Sequence, residues 1–113
     1  MGLLKTREKL AGRVRTKYGA YLKRERESRR YTQKYVADFL GFRTPQLISN
    51  WERGIAAPPL KEVRKLARLY GVDKDEFLDI VTEYHEAVNQ DALNNIRDIF
   101  AKKSPGESLP VSE

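Results

Sequence analysis

Residues 33–54, QKYVADFLGFRTPQLISNWERG, contain two short helical patterns separated by a tight turn, and this stretch constrains the fold more than any other. The first pattern covers about residues 33–40, with apolar residues at helical spacing. Thr32 precedes it as an N-cap, and Gly41 follows it as the residue that ends a helix in the left-handed conformation. The sequence therefore predicts a short helix that stops abruptly at Gly41.

The second pattern carries start and stop signals of its own. Thr44 is expected to be its N-cap and Pro45 its first helical residue, where the missing N–H costs nothing. Ile48 and Trp51 fall on one face, and Gly54 ends the helix. Helices this short are not stable alone, so their apolar faces must pack on each other and on neighbouring helices.

These residues resemble the Cro and repressor-like helix-turn-helix proteins of phages and bacteria, also called the xenobiotic-response-element type. The resemblance covers roughly residues 21–81. Its elements are Arg26, Thr32-Gln33, Val36-Ala37, Leu40-Gly41, Ile48-Ser49, Trp51-Glu52-Arg53-Gly54, Pro58-Pro59-Leu60 and Tyr70-Gly71-Val72. One departure is the turn formed by residues 41–44, which is one residue longer than in most members.

The resemblance implies an all-α fold, a lambda-repressor-like five-helix domain with a helix-turn-helix. To this domain we add a C-terminal helical extension. The chain then divides into a basic N-terminal arm or short helix at residues 1–17, the helix-turn-helix DNA-binding domain at 18–82, a helical extension at 83–103 and a disordered tail at 104–113.

The N-terminal segment is strongly basic. Residues 1–17 hold six Lys or Arg residues against a single acidic one, Glu8. One interpretation is a solvated, frayed terminus, and the other is an arm that follows phosphates or enters the minor groove. Helix one of the domain is expected from about Ala20 to Arg29, with Tyr21, Leu22 and Arg26 facing inward.

Two further helices follow the helix-turn-helix. Helix four begins near Leu60 and ends at Gly71, and it carries an apolar stripe made of Val63, Leu66, Ala67 and Tyr70. A capping box formed by Asp73 and Glu76 starts helix five, whose buried residues are expected to be Phe77, Leu78, Ile80 and Val81.

Helical spacing continues beyond the usual five-helix domain. The apolar residues there are Val88, Ala92, Leu93, Ile96, Ile99 and Phe100, and helix five either runs on or bends near Asn89. This apolar stripe is expected to pack against another surface. Packing within the chain, a dimer seam and contact with a separate protein all remain open.

Charge is distributed unevenly along the chain, whose net charge is +6. Residues 1–71 hold 18 Lys or Arg against 6 Asp or Glu, a net of +12, whereas residues 72–113 hold 4 against 10, a net of −6. A basic front half favours double-stranded DNA as a partner, through counterion release. The acidic half suits protein contacts or solvent.

Several functional classes find no support in the sequence. There is no cysteine, and the one histidine, His85, lies in a polar stretch, so neither a disulfide framework nor a metal site is expected. No cofactor is expected either, because no glycine-rich phosphate loop, nucleophile motif or HExxH is found. No stretch is apolar enough to span a bilayer or to act as a signal peptide, so we expect a cytoplasmic protein and no enzyme.

The resemblance places the second helix of the unit in the major groove, with the residues near its N-terminus at base edges. The base-contacting candidates are Thr44, Pro45, Gln46, Ser49 and Asn50. Gln46 and Asn50 are four residues apart and both carry an amide that can bind adenine through two hydrogen bonds. The alternative is that they are ordinary surface polar residues.

Backbone contacts are assigned to a second group of residues. Gln33 resembles the family glutamine that contacts phosphate from the start of the preceding helix. Arg43 and Arg53 are candidates for further phosphate contacts or are plain solvated arginines, and Lys23 and Lys34 are weaker candidates.

In the family, the arginine of helix one and the glutamate that ends the second helix of the unit form a partly buried ion pair. The resemblance therefore implies a structural pair between Arg26 and Glu52. Trp51 beside it is assigned to the core in preference to stacking on a base.

Three functional hypotheses follow. The first is a sequence-specific transcriptional regulator, most often a repressor in this family, that binds a palindromic operator as a homodimer. The second is the antitoxin of a toxin–antitoxin pair, whose C-terminal helix would neutralise a toxin partner while its domain represses its own operon. The third is a helix-turn-helix used only for protein contacts, with non-specific DNA binding.

Overall fold

A computed structural model describes residues 9–101, and this part of the chain is entirely α-helical. Its five helices are α1 (Leu10–Ser28), α2 (Gln33–Leu40), α3 (Gln46–Glu52), α4 (Leu60–Tyr70) and α5 (Lys74–Ala101). The all-α five-helix prediction is confirmed, and the helical extension is the second half of α5. The tail predicted to be disordered, residues 104–113, lies outside the described part, as do the first eight residues.

The prediction that helix one begins near Ala20 is wrong, because α1 already begins at Leu10. From Leu10 onward, the segment predicted as a basic arm or short helix is therefore helical and continuous with helix one. Tertiary contacts with α5 account for this difference: Asp91 accepts a hydrogen bond from the backbone N–H of Ala11 at 2.8 Å, and Glu83 pairs with Lys17 at 3.0 Å. The first two turns of α1 lie along the middle of α5.

Helix ends in the front half follow the start and stop signals of the sequence. The Thr32 hydroxyl accepts a hydrogen bond from the Tyr35 N–H at 2.9 Å and caps α2. Gly41, with φ of 87°, ends α2, and the Phe42 N–H then reaches back to the Ala37 carbonyl at 2.8 Å. This pattern is a Schellman motif, which turns the chain sharply toward α3.

The prediction that Pro45 is the first helical residue of α3 differs from the structure by one position. Pro45 occupies the N-cap position, and α3 starts at Gln46. Thr44 still contributes to the cap, since its hydroxyl accepts a hydrogen bond from the Gln46 N–H at 3.3 Å. The added turn residue thus places proline just before the helix, where its missing N–H leaves no donor unpaired.

One apolar core joins the five helices. It contains residues from every helix: Tyr18, Tyr21, Leu22, Val36, Ala37, Leu40, Ile48, Trp51, Leu66, Tyr70, Phe77 and Val81. Aromatic contacts run through it, with Phe77 stacked on Tyr21 at a centroid distance of 5.5 Å and Phe42 edge-on to Trp51 at 6.0 Å. Trp51 is therefore a core residue.

The second half of α5 differs from the first. Asp73 caps the helix by accepting hydrogen bonds from the N–H groups of Asp75 and Glu76, and α5 then continues without a break past Asn89 to Ala101. Phe77 and Val81 are buried as predicted, but the prediction for Leu78 is wrong, because 61% of this residue is exposed. Leu78 is turned about 100° around α5 from Phe77, so it lies at the exposed rim of the core.

Candidate nucleic-acid interface

One side of α1 holds α3 in place. Arg15, Gly19 and Arg26 recur at spacings of four and seven residues, so they lie on one face of α1. The Arg15 guanidinium donates to the Gly54 carbonyl, just after the end of α3, at 2.7 Å. At Gly19 the helices approach so closely that a Cβ atom would lie 2.4 Å from the Trp51 carbonyl oxygen. The position of α3 is thus fixed by the backbone of α1 as well as by side chains.

The structure pairs Arg26 with Glu52 through two hydrogen bonds. Arg26 Nε donates to Glu52 Oε2 at 2.6 Å and Nη2 donates to Oε1 at 3.0 Å. The Glu52 side chain is only 2% exposed. Hydrogen bonding to Glu52 raises the pKa of the Arg26 guanidinium, against the opposing effect of burial. The two hydrogen bonds have the geometry of a planar bidentate pair between a guanidinium and a carboxylate.

Two more contacts extend this ion pair into a network. Arg26 Nη1 donates to the Tyr31 carbonyl at 2.7 Å, and the Gln33 amide donates to Glu52 Oε1 at 2.9 Å. Gln33 is the residue assigned to a phosphate contact, and the structure gives its side chain a partner within the chain. The first residue of α2 is thereby tied to the last residue of α3.

The five base-contacting candidates lie at the N-terminal end and along the outer side of α3. Thr44 and Gln46 are exposed, whereas Pro45, Ser49 and Asn50 are half-buried. The Gln46 amide donates to Asn50 Oδ1 at 2.9 Å, so the two side chains predicted to bind adenine are hydrogen-bonded to each other. Side-chain amides held in this way have a defined orientation before any ligand arrives.

Arg53 belongs to the same polar row. Its Nη2 donates to Asn50 Oδ1 at 3.0 Å and its Nε donates to Ser49 Oγ at 3.2 Å. Asn50 Oδ1 therefore accepts from both sides, from Gln46 and from Arg53. The row of Gln46, Asn50 and Arg53, spaced by four and three residues, forms one ridge along α3, which we call the α3 ridge.

The remaining phosphate candidates are placed differently. Lys34 is paired with Asp38 at 2.7 Å on the surface of α2. Lys23 on α1 and Arg43 in the turn before α3 are exposed, and neither forms a hydrogen bond or ion pair with any of residues 9–101. These two cations can therefore meet a phosphate without first giving up a partner.

Arg15 and Gly19 are the residues of this site that sequence reasoning missed. Arg15 was counted with the basic arm, and Gly19 carried no assignment. Their spacing to Arg26 is the signal that could have identified them, because it continues the inward face of helix one by three turns toward the N-terminus. This face becomes visible only if α1 is extended to Leu10.

Within residues 9–101, no helix combines the length and the apolarity needed to cross a membrane. The same residues contain no cluster of three or more His, Asp or Glu side chains arranged to bind a metal ion.

The profile of the helix-turn-helix family matches residues 22–77, which include the end of α1, all of α2 to α4 and the start of α5. Through this segment, the chain belongs to the helix-turn-helix family. The resemblance to Cro and repressor-like proteins is confirmed. The match includes Arg26, Glu52 and the whole α3 ridge, but it excludes the first turns of α1 and most of α5.

The chain is similar to the SPbeta prophage-derived uncharacterized HTH-type transcriptional regulator YonR of Bacillus subtilis (strain 168). It is 43% identical to this chain over 61 residues, which are 54% of this chain and 56% of that protein. The chain thus spans little more than half the length of this helix-turn-helix relative. No solved structure matches the chain significantly.

Proposed function

We propose that this protein is a sequence-specific DNA-binding transcriptional regulator of the cytoplasm, acting as a repressor. In this proposal α3 enters the major groove of a palindromic operator, and two copies of the chain bind its two half-sites. Membership of the helix-turn-helix family and the similarity to a protein named as a transcriptional regulator support the proposal. The basic front half supplies the attraction to phosphate.

The observation that carries this proposal is the α3 ridge on its rigid support. Reading a base edge requires side-chain groups held in a fixed geometry, because each bidentate contact depends on direction as well as distance. Here the ridge is ordered by its own hydrogen bonds, and α3 is fixed from behind by Glu52, Trp51 and the close approach at Gly19. A solvated polar surface would not need this support.

The geometry supports different roles for the two amides. Gln46 is exposed and bonded on one side only, so we assign it to direct reading of an adenine. Asn50 is half-buried and already accepts two hydrogen bonds, so we assign it to orienting Gln46 and Arg53. Thr44, Pro45 and Ser49 complete the base-contacting surface, with Pro45 offering only apolar contact.

Backbone contacts are assigned to the cations around this surface. Arg43, in the turn before α3, and Lys23, on α1, have no competing partner among the described residues and come first. Arg53 at the end of α3 and Lys34 on α2 are second, because each must leave a partner. Gln33 contributes to phosphate contact from the start of α2 while its side chain stays bonded to Glu52.

Selection from random double-stranded DNA at near-physiological salt tests the proposal. Wild type should enrich a palindromic motif with half-sites about 34 Å apart. Gln46→Ala should lose preference at one position of each half-site, at a cost of about 1–3 kcal/mol in discrimination. Gln90→Ala, which removes an exposed amide from α5, is the matched control and should enrich the same motif as wild type.

The opposite result is equally informative. If wild type enriches no motif and its binding only weakens as salt rises, the basic half holds DNA non-specifically. A helix-turn-helix that serves protein contacts would then replace the regulator. Loss of preference in the Gln90→Ala control would mean that the selection reports folding and not reading by α3.

A further inference from the structure

The second half of α5 exposes a row of large apolar side chains. Val88, Leu93, Ile96, Ile99 and Phe100 are between 40% and 81% exposed, and Phe100 is the most exposed of them. At 3.6 residues per turn, Leu78 lies on the same line of the helix as Ile96, five turns away. We call the surface formed by these six residues the α5 seam. Scattered exposed apolar residues are normal, but several of them on one face of a helix mark an interaction surface.

The α5 seam continues into a groove at its N-terminal end. The groove lies between α4 and α5, and its lining is mainly apolar, with Leu60, Val63, Ala67, Phe77, Leu78 and Val81. One end of the seam is therefore concave, whereas the other end carries the protruding side chains of Ile99 and Phe100. In an antiparallel pair of copies, the protruding end of one seam fits into the groove of the other.

We propose that two copies of this chain pair through antiparallel α5 helices, with the two-fold axis near Val88. In this arrangement the C-terminal end of each α5 fills the groove between α4 and α5 of the other copy. The inference deepens the homodimer of the proposed function by naming its interface, and it rests on that function only for its role on DNA. An interface of this kind is isologous, because the same surface serves both copies.

Charges beside the seam favour the antiparallel direction. Asp79 and Arg97 are 18 residues, or five turns, apart and therefore lie on one edge of the seam. Neither has an ion-pair partner within residues 9–101. An axis at Val88, midway between them, places each Asp79 beside Arg97 of the other copy. A parallel pair would leave Asp79 and Arg97 of the two copies five turns apart along the helices, so these charges could not meet.

The size of the seam suits a stable dimer. From Leu78 to Phe100 it extends about 33 Å along the helix, at 1.5 Å per residue. A helix face of that length, together with the groove of α4, is on the order of the 800 Å² per partner that stable interfaces bury. An apolar surface of this extent on a charged helix costs solubility unless it is covered.

The first test is the oligomeric state by sedimentation or light scattering over a range of concentrations. Wild type should be a dimer, and Ile96→Glu should weaken association on the order of a hundredfold, because it places two unpaired carboxylates in the interface. Asn94→Glu adds the same charge on the far side of the helix and should leave association unchanged. A wild type that stays monomeric at about 100 µM overturns the proposal, since an interface of about 800 Å² per partner should be populated there.

Charge exchange tests the direction of pairing. Asp79→Arg and Arg97→Asp should each weaken the dimer roughly tenfold, and the double variant should recover most of the loss because the pairs are re-formed with reversed sign. Additive losses in the double variant would overturn the antiparallel arrangement. Because all three variants change exposed residues, folding is not at risk.

Cross-linking tests the axis directly, since the chain has no cysteine of its own. A single cysteine at Val88 or at Asn89, tested one at a time, should oxidise to a covalent dimer, because a disulfide needs Cα atoms within about 7 Å. Ile96→Cys should not, because its counterpart lies far along the other helix. Efficient cross-linking through Ile96→Cys would show a parallel seam and overturn the proposal.

Failure of this inference can be separated from failure of the proposed function. A monomer that still selects a DNA motif would leave the function standing and assign the seam to residues 1–8, residues 102–113 or another protein. A dimer that selects no motif would keep the seam and remove the function.

Discussion

Two helix surfaces of this protein differ in how much of each is buried within the described fold. The face of α1 that carries Arg15, Gly19 and Arg26 packs closely on α3. Arg26 donates two hydrogen bonds to Glu52, Arg15 donates to the Gly54 carbonyl, and Gly19 lies too close to α3 for a Cβ atom. The six side chains of the α5 seam are 40% or more exposed among the described residues. The first surface is specific to one neighbour inside the fold, and the second is available for a neighbour outside it.

The two surfaces differ in how strictly they require particular residues. The α1–α3 contact depends on individual residues, because one added methyl group or one lost carboxylate changes it. The seam depends only on apolar character and spacing, which many side chains supply. Substitutions should therefore affect folding stability strongly on the first surface, and affect association in preference to stability on the second.

The largest effect is expected from breaking the buried ion pair. Glu52→Ala should destabilise the protein by about 3–5 kcal/mol, because it leaves the Arg26 guanidinium buried without its partner and also removes an acceptor from Gln33. Urea unfolding measures this. Glu27→Ala is the matched control: Glu27 also lies near Arg26, at 3.8 Å, but its side chain is 58% exposed.

The control should change the free energy of unfolding by no more than about 0.5 kcal/mol. Equal losses from Glu27→Ala and Glu52→Ala would mean that the network contributes through general charge balance. The comparison between a specific and a non-specific surface would then lose its main support.

The next effect compares one apolar deletion on each side. Leu66→Ala should cost about 2–5 kcal/mol, since Leu66 is 1% exposed and its loss leaves a cavity. Ile99→Ala, at a residue 69% exposed, should change the stability of the monomer by no more than about 0.5 kcal/mol. Thermal unfolding at low protein concentration, where association does not contribute, measures both. A large loss from Ile99→Ala in the dilute monomer would show that the seam is covered within its own chain.

Much of this fold could be predicted from local signals. Thr32, Gly41 and Asp73 specify where helices begin or end, and each acts through its own side chain or its own φ angle. The pair of Arg26 and Glu52 was expected from family resemblance. In each of these cases the residues themselves carry the information.

The errors arose where tertiary contacts decide. The first turns of α1 fall in the segment predicted as a basic arm or short helix, because residues 1–17 are rich in Lys and Arg. What makes them helical is contact with residues more than 60 positions away, such as Asp91 and Glu83. Leu78 was expected in the core, but helical geometry turns it away from α1. The hydrogen bonds along the α3 ridge could not be predicted, since they depend on rotamers that no sequence pattern specifies.

A smaller effect is expected at the closest point of the α1–α3 contact. Gly19→Ala should destabilise by about 2 kcal/mol, because the new Cβ forces the backbone of α3 away from α1. Helix propensity alone predicts the opposite sign, a gain of nearly 1 kcal/mol. The neighbouring Ala20→Gly, at an exposed site of the same helix, should cost about 1 kcal/mol through propensity. Denaturant unfolding of the two variants separates packing from propensity, and a stabilised Gly19→Ala would show that the two helices can move apart freely.

The smallest effect is a gain, at the turn that leads from α1 into α2. Arg30 has a φ of 60°, and the flanking bonds from Arg30 N–H to the Glu27 carbonyl and from Tyr31 N–H to the Arg26 carbonyl repeat the Schellman pattern that Gly41 forms after α2. A left-handed conformation is strained for arginine and not for glycine, so Arg30→Gly should stabilise the protein by about 0.5–1 kcal/mol. The greater freedom of glycine in the unfolded chain offsets part of the gain. Gly41→Arg is the reciprocal variant and should lower the free energy of unfolding by about 1–2 kcal/mol. A Cβ atom at Gly41 would meet no atom within 4 Å, so the cost comes from the left-handed backbone conformation and not from contact with a neighbour. Thermal melts of the two variants measure both signs, and a destabilised Arg30→Gly would mean that the arginine side chain contributes more than its backbone strain costs.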